Sequence, residues 1–280
     1  MFAARPAIFI AACALTLGFP DPAAARTAVP DLRVPDRMRA VEGGRKIFVV
    51  LHSPRRGDGN PDSPTVMREQ IALRDVLTSD DFDTSMPARL ETVVNAVPWL
   101  GARDFEVSNN YRWNRIERAL DESNTRQMLV IRTEHGMSAD YRVISVYMRA
   151  ILLNREIPKG KTSHARFTQD WTPYQLDLTA RISLPGGKEL DREENRRLWA
   201  ADDGRLARAA IESGIEWVTA RFGRTLVESE GQSWVWRKRG DRAGTLPNGR
   251  PGWIIEQGTA GYVGFEARGR GLVYEGSIPP

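Results

Sequence analysis

Cysteine is nearly absent: Cys13 is the only one in 280 residues, and there are just three histidines. Cys13 lies inside a leader-like N-terminus. The rest of the chain therefore has no disulfide, no thiol nucleophile and no cysteine-ligated metal. Long apolar runs are scarce too. The longest, Ala7 to Phe19, has 13 residues, too few for a bilayer-spanning helix, which excludes a polytopic membrane protein. Low complexity is missing as well: 41% hydrophobic and 27% charged residues exclude collagen-like and wholly disordered chains. A net charge of +4 is too small to demand a particular partner. The sequence also lacks G-x-S-x-G, S-x-x-K and H-E-x-x-H, and no glycine-rich phosphate loop joins a strand to a helix. No internal repeat of useful length is present.

What is present first is an export signal. Arg5 supplies a positive n-region, Ala7 to Phe19 an apolar h-region, and Ala23-Ala24-Ala25 an A-x-A cleavage site, so residues 1–25 read as a signal peptide. An alternative is a lipoprotein signal, with Ile10-Ala11-Ala12-Cys13 as the lipobox and Cys13 as the anchor. Arginine outnumbers lysine 35 to 5, as in GC-rich genomes. Together these point to a Gram-negative periplasm, with no transmembrane span left after cleavage.

Residues 26–44 are polar and proline-bearing and read as a linker or arm. Lys46 to Leu51 (KIFVVL) suits a buried strand. The turn-rich stretch His52 to Pro64 precedes a helix predicted over Pro64 to Leu77. Ser85 is placed to cap a second helix, with Leu90, Val93, Val94 and Val97 at helical spacing and Pro98 at its end. Trp113, Ile116 and Leu120 mark a third. Gln127 to Leu153 reads as a hairpin with its turn over His135 to Asp140. Leu176, Leu178, Ala180, Ile182 and Leu184 alternate with polar residues, so one face of that strand is dry and the other wet. Asp191 and Glu194 form a capping pair ahead of a long helix to about Phe222, bent near Gly204 and at Gly214. Short strands follow over Ser233 to Arg237, Trp253 to Glu256, Tyr262 to Ala267 and Leu272 to Glu275. The order predicts an α+β fold: a mostly antiparallel sheet with helices packed on one face and a C-terminal β-meander. The preferred division is an α+β body over 45–188 and a helix-plus-meander part over 189–280, with one continuous domain as the alternative.

The hairpin QMLVIRTEHGMSADYRVISVYMRAILL (127–153) resembles segments of proteobacterial envelope proteins and lipoproteins of undetermined function. That resemblance implies an envelope location. It carries no catalytic motif, so no residue role follows from it.

Three constellations can carry chemistry. Asp58, Asn60, Asp62 and Glu69 fall at positions 1, 3, 5 and 12 of a loop, the spacing with which oxygen ligands wrap Ca²⁺. Ser63 stands where the sharp turn needs glycine, and Pro61 and Pro64 restrict the loop. His52 and His135 each follow a predicted strand. On neighbouring strands they would share a rim with Glu134 and Asp140, as a Zn²⁺ site or an acid/base pair. Trp234, Trp236, Arg237, Lys238, Arg239 and Trp253 interleave aromatic and basic side chains, which can hold glycans or phosphorylated polymers by stacking and charge. The expectation is an exported protein that acts by binding an envelope protein or an anionic envelope polymer, without a resident cofactor and without nucleic acid as a partner. The alternative is a metal-assisted periplasmic hydrolase using His52, His135, Asp140 and nearby carboxylates.

Overall fold

The computed structural model describes residues 44–51, 73–77, 80–109, 112–123, 125, 127–154, 174–186, 189–227, 244–259, 261–266 and 271–277. The leader, the arm, the Ca²⁺-like loop with Asp58, Asn60, Asp62 and Glu69, and residues His52, His164, Trp234, Trp236, Arg237, Lys238 and Arg239 lie outside them.

The described elements are β1 (Arg45–Leu51), α1 (Asp80–Asn95), β2 (Ala102–Ser108), α2 (Trp113–Glu122), β3 (Gln127–Met137), β4 (Val143–Asn154), β5 (Tyr174–Ser183), α3 (Arg192–Val227), β6 (Gly244–Thr245), β7 (Pro251–Gly258), β8 (Gly261–Glu266) and β9 (Gly271–Ser277). The strands join in one mixed sheet of order β2-β1-β3-β4-β5-β9-β8-β7-β6. Most neighbours are antiparallel. β1 runs parallel to both β2 and β3, and β5 runs parallel to β9. The α+β architecture and the C-terminal meander are those read from the sequence.

One face of the sheet, here the inner face, meets α1 and α3. β4 and β5 turn Ile144, Val146, Met148, Ala150, Leu176, Leu178, Ala180 and Ile182 into this core, as their alternation requires. Phe82, Met86, Leu90 and Val94 recur every fourth residue of α1 and pack there too. Gly214 does not bend α3. A Cβ there would lie 2.6 Å from Val146 Cγ2, so its absence lets the helix approach β4 closely. The bend falls instead at Ala201–Gly204, where Asp202, Asp203 and Gly204 all take positive φ.

A second, smaller core lies on the opposite face, where α2 lays Ile116, Ala119 and Leu120 over Phe48, Val50, Met128 and Val130. β1 is thus covered on both sides, which is why it reads as an unbroken apolar run instead of an alternation.

Local chemistry sets the ends of these elements. The Asp191–Glu194 capping pair forms in both directions, with Glu194 N–H donating to Asp191 Oδ1 (2.8 Å) and Asp191 N–H to Glu194 Oε2 (3.1 Å). Ser85 caps nothing. α1 begins five residues earlier and runs through Pro87, and the Ser85 hydroxyl reaches Glu212 on α3. Among the described residues no helix is long and apolar enough to cross a membrane.

Candidate functional site: a groove on the outer face of the sheet

Beyond the reach of α2, the outer face of β3, β4, β5 and β9 is polar and half-buried. Arg149 grips Asp177 with two hydrogen bonds, Nε to Oδ1 at 2.7 Å and Nη2 to Oδ2 at 3.0 Å. The Tyr147 hydroxyl donates to the same carboxylate at 3.2 Å. Burial, then the neighbouring Asp177 charge, pushes the Tyr147 phenol above its ordinary range, so it remains a donor. Arg132 pairs with Glu134 at 3.0 Å, and Arg181 with Glu275 at 3.1 Å.

Two adjoining cavities form a groove across this face. One, of about 210 Å³, is bordered by Glu134, His135, Ser145, Tyr147 and Arg181 together with Ser138 and Val143. The other, of about 390 Å³, is lined by Asp140, Arg142, Ser183, Asn248 and Glu275 and shares Ser138, Val143 and Arg181 with the first. Strands lie roughly 4.8 Å apart, so a path from β3 to β9 spans on the order of 14 Å, about four extended residues.

Both walls of the larger cavity are built rigidly. One is the β3–β4 turn. The Ser138 hydroxyl donates to Asp140 Oδ1 at 2.6 Å and accepts from the N–H groups of Arg142 and Val143. The hydrogen bond from Ser138, with the N–H and charge of Arg142, holds the Asp140 carboxyl below its ordinary range. Tyr141 in this turn takes φ 55°, a left-handed conformation unusual for so large a residue. It is kept there by burial: Trp199 Nε1 donates to its carbonyl at 2.6 Å, and the Arg192 guanidinium lies 5.4 Å over its ring. The other wall is the β6–β7 turn. Leu246 packs over Gly252 and Gly264, where a Cβ would lie 2.8 Å and 3.0 Å from its methyls. Those two glycines seat Leu246, which brings Asn248 to within 2.7 Å of Glu275.

The sequence candidates fall differently. His135 is in β3 and not in the turn. Register pairs it with Val146, and that places its side chain on the inner face. It is buried, its Nε2 lies 2.7 Å from the Leu77 carbonyl, and its ring sits 4.1 Å from that of Phe82. Burial pushes its pKa down, so it is a neutral packing residue. Asp140 borders the larger cavity and His135 the smaller, and no hydrogen bond or ion pair joins the two. Among the described residues no group of three or more His, Cys, Asp or Glu could hold a metal ion. Trp253 is buried in the inner core, tilted against Phe265 at 5.9 Å, and so is not a surface platform.

No family model matches the sequence, and no curated protein does. Two solved structures, both of the PelC dodecamer from Paraburkholderia phytofirmans and one of them a point variant, show a local likeness. The variant is 14% identical with a TM-score of 0.21, covering 41% of this chain and 64% of that one. The other is 16% identical with a TM-score of 0.18, covering 46% and 66%. The chain thus spans just under two thirds of either protein, and overlaps at these scores carry no argument about function.

Proposed function

We propose that this is an exported protein that works by binding, and that the outer groove receives an extended segment of a cell-envelope polymer. The observation that carries the reading is the groove itself. It crosses four strands and is lined by preformed hydrogen-bonding groups, and two anchored turns wall its larger end. An elongated polar channel suits a chain-like ligand better than a compact metabolite, whose pockets are more enclosed and more apolar. The leader-like first 25 residues support a site of action outside the cytoplasm. The hydrolase alternative has less support, because the His135 imidazole is buried with its Nε2 on the Leu77 carbonyl, although the residue borders the smaller cavity.

Retention of the chain lacking residues 1–25 on isolated peptidoglycan, lipopolysaccharide and envelope-protein extracts tests the proposal. Retention by a polymer fraction, reduced by Arg181→Ala, is the expected result. Retention only by protein would replace the polymer with a protein partner. Stoichiometric Zn²⁺ or Ca²⁺ lost on His52→Ala or Asp58→Ala, with no retention anywhere, would favour hydrolysis.

A further inference from the structure

We infer that the larger end of the groove is a subsite for an oxyanion, a carboxylate or phosphate carried on the repeat of an anionic polymer, held by Arg142 and Arg181. This rests on the binding role proposed above and narrows it. Formal charge does not decide the matter, because the subsite holds two guanidiniums and two carboxylates. Hydrogen-bond capacity does.

Each carboxylate already accepts at one of its two oxygens, which leaves it fewer open sites than the guanidiniums have donors. Asp140 Oδ1 accepts from the Ser138 hydroxyl and from the Arg142 backbone N–H. Glu275 Oε1 accepts from Asn248 at 2.7 Å and faces Arg181 Nη1 at 3.1 Å. The guanidiniums are not spent. Each carries five N–H donors in a planar fork. Arg181 commits one nitrogen, to Glu275. Arg142 Nε stands 3.6 Å from Asp140 Oδ2, outside hydrogen-bonding range. Both side chains line the same cavity, together with Ser183. A surplus of fork donors over acceptors calls for a ligand that brings oxygen acceptors, and carboxylate and phosphate match the fork two-pronged. The site is also preorganised. Arg142 follows the strained but anchored Tyr141, and Arg181 is steadied by Glu275, which Asn248 holds in turn. Little ordering of Arg181 remains to be done on binding.

Calorimetric titration of the chain lacking residues 1–25 with oligogalacturonate, polyphosphate and neutral malto-oligosaccharide tests this. Binding of an anionic probe but not the neutral one is expected, weakening as salt rises from 50 to 300 mM. Whichever anionic probe binds separates a carboxylate from a phosphate source. R142A/R181A should weaken it at least tenfold. R181K retains the charge opposite Glu275, and so the fold, but loses the fork and should weaken it severalfold. R205A removes a single charge from exposed α3, half that of the double variant, and should change it less than twofold. The inference is overturned if no anionic probe binds at millimolar concentration, if R142A/R181A binds as the parent does, or if R205A costs as much. A polymer retained on the pull-down while no anionic probe titrates would remove the subsite and leave the binding reading intact.

Discussion

β4 and β5 present two different surfaces from the same backbone. Their inner residues, Ile144 to Leu152 and Tyr174 to Ile182, are nearly all apolar and closed under α1 and α3. Their outer residues include Tyr147, Arg149 and Asp177, bound to one another by directed contacts, and Arg181, paired with Glu275 of β9. The inner face holds the fold by area removed from water, about 25 cal/mol per Å². The outer face contributes little net stability, because a partly desolvated ion pair roughly cancels its own hydration cost. Such pairs fix geometry at small energetic consequence, which suits a surface that must present donors in set positions.

The contrast is broken most severely by Trp199→Ala. Trp199 is fully buried and its indole N–H supports Tyr141. Truncation should cost about 3–5 kcal/mol in urea unfolding and should also loosen the β3–β4 turn. A middle-sized effect sits at His135. Its folded pKa is depressed by burial, so the folded state binds fewer protons than the unfolded one. Its contribution is therefore complete above about pH 6.5 and is lost as pH falls below that, by up to ~1.4 kcal/mol per pH unit. His135→Gln should flatten that loss between pH 6.5 and 5 when urea midpoints of the two proteins are compared. The smallest effect belongs to the outer face. Asp177→Asn should shift stability by about 1 kcal/mol or less. A loss as large as that of Trp199→Ala would show that the outer network carries the fold.

The periodic parts of this architecture were readable from the residues. The alternation of β5, the apolar run of β1 and the capping pair of α3 each have a single physical explanation. β2 was not readable. ARDFEVS is mostly polar because it is an edge strand, where Asp104 and Glu106 pair with Lys46 and charged side chains blunt an open edge. The stretch TEHGM (133–137) reads as a turn because it is polar, yet Thr133 and His135 lie on the buried face, where Thr133 Oγ1 and His135 Nε2 meet the Val50 and Leu77 carbonyls. Local pattern carries no trace of those distant acceptors. The groove was invisible for the same reason. Arg142, Arg181, Asn248 and Glu275 meet only through strand pairing between segments far apart in sequence.

The parallel pairing of β5 with β9 joins Asp177 to Gly271, so a strand beside the middle of the sheet comes last in sequence among the described strands. β5 keeps an open flank until residues 271–277 are in place to pair with it. The two blocks of the sheet then close by a late, long-range docking step, which makes folding slow and leaves the flank of β5 unpaired for a prolonged interval.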